Sequence, residues 1–151
     1  ERLRVASLFH DIGKIGVPDE ILFKDGRLTD EEYAKIKEHP ANGARILSSL
    51  SRFQPIVPIV RAHHERMDGK GYPDGLRGEQ IPLEARMIAV ADSYDAMTSN
   101  RRYRSSLGQD RAVGELIAGK GSQFDATLVE AFLRVLQDKQ RLQKDLADLE
   151  K

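Results

Sequence analysis

Every histidine in this chain stands where it can serve as a metal ligand. The sequence holds four: His10, directly followed by Asp11, then His39, then the adjacent pair His63 and His64. A carboxylate, Asp92, follows inside the apolar run from Ile88 to Met97. Imidazole and carboxylate together suit a first-row transition metal better than magnesium or calcium. Taken singly, each residue has an ordinary explanation: a satisfied histidine, a helix-end partner for Asp11, an arginine beside Asp92. Taken together they point to a metal centre, since an isolated carboxylate among Ala89, Val90 and Ala91 would be costly to bury without a partner. Successive groups lie 24 to 29 residues apart, so no short-range zinc motif applies.

The elements that must bring these groups together read as helices nearly throughout. Leu3, Ala6 and Leu8 to Ile12 form an apolar face that predicts a first helix stopping at Gly13. Residues 13 to 28 read as a loop, with turn signals at Pro18-Asp19 and Asp25-Gly26. Thr29 to Glu32 is a capping box that opens the next helix. Pro40 is expected to interrupt that helix after His39, with the pattern resuming from Asn42 to Leu50. A helix over about Ile56 to His64 carries Pro55 and Pro58 at its start. Side chains on adjacent helical residues diverge by roughly 100°, so His63 and His64 need a local adjustment to reach one metal.

A glycine-rich loop, Glu65 to Pro82, precedes a long helix running through Asp92 and Asp95 to about Thr98. A shorter helix follows Gly108 and ends at Gly119 to Gly121, and a last helix starts near Ala126. No strand pattern and no internal repeat is present, so the fold class is all-α. In the last helix Leu128, Val135, Leu142 and Leu149 recur every seven residues, with Phe132 and Leu146 between them and Lys139 in the remaining seam position. Residues 1–136 read as the domain. Residues 137–151 read as a polar helical extension, suited to a homodimer contact or an exposed stalk.

The 151 residues suffice for one domain with a core. Lys+Arg and Asp+Glu both number 24, so no overall field draws the chain to nucleic acid or an acidic membrane. Cysteine is absent, which removes disulfides and thiolate metal sites. No apolar stretch is long enough for a membrane span and no signal peptide opens the chain, so the expected compartment is the cytoplasm. The first residue is Glu1 in mid-pattern, from which a piece of a longer protein is expected.

The strings HDIGKIGVPDEIL, HHERMDGKGYPDGL and VADSYDAMTSNRRYR, with His39 between the first two, closely resemble the HD-GYP domain. This is a bacterial branch of the HD superfamily of metal-dependent phosphohydrolases, and the resemblance covers nearly the whole chain. It implies an HD-type helical bundle that hydrolyses cyclic di-GMP to pGpG and further to GMP. It also implies two divalent ions, iron or manganese. His10, Asp11 and Asp92 would hold one; Asp11, bridging, would share the second with His39, His63 and His64. The superfamily pattern has one more His on a helix upstream of HD, and some members add a Glu for a third metal. Both would fall before Glu1, so residues 1–136 are expected to be such a domain lacking its first helix.

The remaining site residues follow the same resemblance. Lys14, one turn past His10, presents a charge to a metal-bound phosphate, and with Asp11 it forms the catalytic pair. Tyr72 in the glycine loop is placed to stack on or hydrogen-bond to a nucleotide. Read as a calcium loop, the segment from Asp68 fails, because Lys70 and Tyr72 fall at ligand positions and Pro73 where glycine is required. Arg101 and Arg104, at i,i+3 spacing, match positions that grip the dinucleotide, while Arg102 reads as solvated. Asp95, one turn beyond Asp92, joins the substrate-binding group and is suited to orienting the ligands. The family further implies docking of diguanylate cyclase (GGDEF) domains on the GYP loop and a receiver or sensory domain on the N-terminal side. Other cyclic dinucleotides, or a non-catalytic binding module, are the alternatives.

Overall fold

The computed structural model describes residues 1–100 and 106–149. Arg101, Arg102 and Arg104 lie outside the described residues, as do the side chains of Leu146 and Leu149. Eight α-helices occur in the described part: α1 Arg2–Phe9, α2 Asp19–Leu22, α3 Asp30–Lys37, α4 His39–Ser48, α5 Val57–Ala62, α6 Leu83–Thr98, α7 Gln109–Ala118 and α8 Ala126–Leu149. The only extended pairing among the described residues is a single bridge between Lys120 and Phe124, so the fold is all-helical, as the pattern predicts. No helix among them is long and apolar enough to cross a membrane.

α6 is the spine. One part of its surface joins a core of Ala6 from α1, Leu47 from α4, Ile59 and Val60 from α5, and its own Ala85 and Ile88. Two residues on and on a different face, Val90 joins a second cluster with Leu116 of α7, Phe124, and Val129 of α8. A helix that buries several faces reads as apolar all round, which is why the run around Asp92 looks so hydrophobic. Each fully buried aliphatic side chain here contributes roughly 1.5–3 kcal/mol.

Helix boundaries depart from the sequence reading at the places that carry the candidate ligands. α1 stops at Phe9 rather than at Gly13, and a 3-10 turn, Ile12–Gly16, takes over after His10 and Asp11. The expected loop 13–28 thus contains that turn and the short α2. The break near Pro40 falls earlier, at Glu38, because proline is accommodated in the first turn of α4 where its missing N–H costs nothing. The helix expected over Ile56 to His64 is Val57–Ala62, preceded by a 3-10 turn over Ser51–Ile56 that contains Pro55. By contrast α6 and α7 match the reading closely. The Thr29–Glu32 capping box is present in both directions, with Thr29 N–H donating to Glu32 Oε2 at 2.7 Å and Glu32 N–H to Thr29 Oγ1 at 3.2 Å.

α8 runs unbroken through residues 136 and 137. Val135 and Leu142 on it are 63% and 60% exposed, so the heptad seam leaves the core about where the polar extension is expected to begin.

The 3-10 turn after Asp11 packs backbone to backbone on α4. A methyl group built on Gly13 would collide with the His39 carbonyl oxygen and the Gly43 amide nitrogen. Only glycine permits this approach, which sets the separation of Asp11 from His39. Gly13→Ala is therefore expected to destabilise the protein by about 1–3 kcal/mol in urea titration, the usual cost of forcing an extra carbon into a packed site. A midpoint equal to wild type would show that the turn can back away from α4.

Candidate metal centre

Each histidine stands at the end of a helix or the start of one. His10 caps the C-terminus of α1, His39 opens α4, and His63 caps the C-terminus of α5 with His64 just beyond. Because the chain has already left α5, the rings of His63 and His64 do not splay as they would on a continuous helix. Their centroids are 4.1 Å apart, and both face His39 at 5.2 and 5.0 Å. One ligand atom from each of Asp11, His39, His63 and His64 lies within 4.8 Å of every other.

Hydrogen bonds fix which ring nitrogens can bind. His10 Nδ1 is 2.6 Å from the Ser7 carbonyl, His39 Nδ1 2.7 Å from that of Ile36, and His63 Nδ1 2.7 Å from that of Val60. A carbonyl can only accept, so each Nδ1 carries a proton and Nε2 is the ring nitrogen left to face the cluster. Those nitrogens converge: His39 Nε2 and His63 Nε2 lie 3.2 Å apart in a fully buried position. His39 Nε2 is also 3.3 Å from Asp11 Oδ1. His10 Nε2 points at two carboxylates, 3.5 Å from Asp11 Oδ2 and 3.9 Å from Asp92 Oδ1. Lone pairs and carboxylate oxygens facing one another repel unless a cation lies between them, and this donor set fits divalent ions. Asp11 touches both groups, with His10 and Asp92 on one side and His39, His63 and His64 on the other.

The electrostatics agree. Burial holds the His63 imidazole down at about 3, assisted by nearby His39 and His10 against the opposing hydrogen bond to Val60. Burial likewise lowers His64 to about 2, with His63 and His39 adding to the effect. Both rings are neutral, as ligands must be. Burial of Asp11 opposes its ionisation, but the adjoining His39 ring, the hydrogen bond from Lys14 and the positive charge of Lys14 outweigh it, so the carboxyl lies well below its usual range. Lys14 Nζ is 2.6 Å from Asp11 Oδ2.

Beside His63 and His64 opens a cleft of about 630 Å³. Tyr72 forms one wall, its ring stacked on His64 at 5.0 Å and 29°. Burial, with the charges of Tyr33, Asp92 and Asp11 adding to it, pushes the Tyr72 hydroxyl above its usual range. Asp95 is exposed and accepts from Ser99 Oγ at 3.2 Å, and no described contact joins it to the cluster.

Sequence reasoning missed the groups that hold the loop carrying Tyr72. Glu65 is only 4% exposed, and its Oε1 accepts from the amides of Asp74 and Gly75 at 2.7 and 3.0 Å. Its Oε2, and Nε of Arg86 on α6, are buried without hydrogen-bond partners among the described residues, although Arg86 pairs with Asp125 at 2.7 Å. Asp68 takes two bonds from Arg66 and one from the Lys70 amide, and Arg61 grips Asp74 with two more. Gly71 packs so closely on His64 O, Glu65 Cα and Arg66 N that no side chain fits there. The one signal was position, since Glu65 directly follows the histidine pair.

A family profile described as "HD domain" matches residues 1–128. A cyclic di-GMP phosphodiesterase response regulator from Xanthomonas campestris is 47% identical over 134 residues, 87% of this chain and 35% of that protein. The 3'3'-cGAMP-specific phosphodiesterase 3 of Vibrio cholerae is 43% identical over 134 residues, 89% of this chain and 29% of that protein. Thus the chain spans about a third of the length of these curated relatives. Among solved structures, Bd1817, a HDG"Y"P protein from Bdellovibrio bacteriovorus, shares the fold with a TM-score of 0.71 at 21% identity, over 90% of this chain and 43% of that one.

Two outcomes follow from this geometry. The unfolded chain protonates both rings near the ordinary value of 6.5, while the fold keeps them neutral to about 3 and about 2. Below about 6.5 the unfolded chain therefore binds more protons, and stability falls as pH drops. Urea midpoints of chelator-treated protein are expected to decline steadily from pH 7 to 4.5, with a shallower decline in His63→Gln. A flat wild-type profile would mean that the rings protonate within the fold. Separately, Glu65→Ala leaves two loop amides without their acceptor and is expected to cost about 1–3 kcal/mol. Faster hydrogen exchange should appear at Asp74 and Gly75, and unchanged exchange there would remove Glu65 as the anchor.

Proposed function

The chain belongs to the HD-domain family, and from that premise we propose that it is a metal-dependent phosphodiesterase that opens a cyclic dinucleotide, cyclic di-GMP first among them. The observation that carries this reading is the convergence of neutral Nε2 lone pairs and ionised Asp11 beside an open, tyrosine-walled cleft. We assign His10, Asp11 and Asp92 to one ion and Asp11, His39, His63 and His64 to a second, with iron or manganese as occupants. Divalent ions held there supply Lewis acidity toward a phosphodiester and lower the pKa of water to near neutrality.

The chain's own residues do the rest. The carbonyls of Ser7, Ile36 and Val60 hold the rings in one tautomer, so no proton competes at the binding nitrogens. Lys14, already on Asp11, puts a positive charge at the edge of the centre, where charge develops on the phosphoryl oxygens. Tyr72 offers a flat face for a base or sugar on the wall of the cleft. Arg101 and Arg104 are retained in this reading as further phosphate grips. Cytoplasmic location, cyclase docking on the 64–75 loop, a receiver or sensory domain on the N-terminal side, and a homodimer through α8 complete the reading. The exposed Val135 and Leu142 support the last of these.

Relatives named for cyclic di-GMP and for 3'3'-cGAMP are similarly close, so both substrates belong in the test. Metal-loaded protein is expected to convert cyclic di-GMP to pGpG and GMP, followed by chromatography, with slower turnover of 3'3'-cGAMP. Asp11→Ala is expected to lose bound metal and at least about a thousandfold in kcat, because it removes a ligand common to both ions. Lys14→Met should lower kcat by roughly a hundredfold while metal content holds. A metal-replete wild type that binds the dinucleotide without cleaving it would replace the enzyme with a binding module.

A further inference from the structure

The cleft beside His63 and His64 has a second wall that the reading above leaves unused. It is built by α3. Tyr33 and Lys37 lie one helical turn apart, and the Lys37 ammonium sits over the Tyr33 ring, 5.0 Å from its centroid. Both line the cleft together with His64 and Tyr72. Tyr33 is 47% exposed, a large amount for an aromatic ring with no packing role in either core cluster. Tyr33 and Tyr72 both line this cleft.

The charges in the cleft are unevenly committed. Arg66 is held by Asp68 and one oxygen of Glu65 is taken by loop amides, while Lys70, also on the cleft wall, has no ion pair among the described residues. Lys37 has no carboxylate partner among the described residues; its one described contact is the Tyr33 ring. An uncommitted ammonium beside an exposed aromatic ring is a pairing suited to a nucleotide, one group for phosphate and one for a base.

A cyclic dinucleotide carries two phosphodiesters and two bases. If one phosphorus lies at the metal centre, the other phosphate enters the same cleft with a full negative charge that needs a partner there. We propose that Tyr33 and Lys37 hold the half of the cyclic dinucleotide that is not being cleaved. Lys37 pairs with the second phosphate, and Tyr33 stacks on the base attached to it, opposite Tyr72. The inference rests on the phosphodiesterase reading, and it makes α3 the element that distinguishes a cyclic dinucleotide from a simple diester.

The test compares wild type, Lys37→Met, Lys37→Arg, Tyr33→Ala and Tyr33→Phe as metal-loaded full chains. Two substrates are used: cyclic di-GMP, with two phosphates, and bis(p-nitrophenyl) phosphate, with one. Lys37→Met is expected to raise KM for cyclic di-GMP about tenfold or more, the loss of one charge-assisted contact, with kcat within about threefold. Lys37→Arg should recover most of that loss. Tyr33→Ala should behave like Lys37→Met, and Tyr33→Phe like wild type. In Lys37→Met and Tyr33→Ala the ratio of kcat/KM for cyclic di-GMP to that for the simple diester should fall about tenfold.

A ratio equal to wild type in both variants overturns the subsite, as does an equal loss on both substrates accompanied by loss of metal. Calorimetric titration of cyclic di-GMP separates this inference from the one beneath it. If wild type binds without hydrolysing and Lys37→Met binds about tenfold more weakly, the enzyme reading fails and the subsite stands. If wild type hydrolyses and Lys37→Met binds equally well, the subsite fails and the enzyme stands. Absence of both binding and hydrolysis in wild type overturns both.

Discussion

The structure depends on one unfavourable arrangement held in place: neutral imidazole lone pairs and carboxylate oxygens pointed at a common space. His39 and His63 bring their Nε2 atoms to 3.2 Å with no proton available to place between them, because both Nδ1 protons are committed to backbone carbonyls. Left to relax, such a cluster would rotate apart or protonate. Burial blocks both routes, since the rings of His39 and His63 are almost wholly enclosed and a charge on His63 would be poorly solvated. A cation placed among these atoms would be stabilised by all of them at once.

Holding that arrangement requires the backbone to break where each ligand sits. α1 ends just before His10, α3 gives way to α4 at His39, and α5 ends just before His63. At such ends the last carbonyls of a helix lack partners within it, and these are what fix the rings: Ser7, Ile36 and Val60 each lie three residues before the histidine they hold. A helix end thus solves two problems at once, satisfying an orphan carbonyl and setting a tautomer. Asp92 is the exception. It projects from the middle of α6, the helix that both halves of the core enclose, so its position follows from packing on each side of it.

The loop after His64 is stiff for similar reasons. Its glycines suggest mobility, yet Glu65, Asp68 and Asp74 tie it down through partly buried and exposed hydrogen bonds. Backbone bonds from Met67 and Asp68 to Gln123 and Ser122 then fasten it to the turn before α8. Here glycine serves close approach, at Gly71, more than freedom. The result is a fixed face for Tyr72, opposite the α3 wall of Tyr33 and Lys37, so the cleft is formed before any ligand arrives.

By itself the sequence determined the ligand types, the helical class and most of the helix registers. Side-chain chemistry and hydrophobic period are local properties: His, Asp and the capping box at Thr29 declare themselves wherever they fall. HDIGK and HHERMDGKGYP also declared the family, since those strings span whole ligand segments. What only the tertiary structure decided is where helices stop and who faces whom. The early end of α1, the start of α4 at His39 and the end of α5 at Ala62 are one to four residues from where periodicity places them, because the carbonyls that win the histidine protons are chosen by packing. Gly13 read as a helix stop and is in fact a contact with α4. Glu65 read as a loop residue and is a buried anchor, while nothing in the sequence reading singles out Tyr33 or Lys37. Nothing local marks these roles, for each depends on groups brought from 9 to about 40 positions away, and contact across such distances exists only once the core has closed.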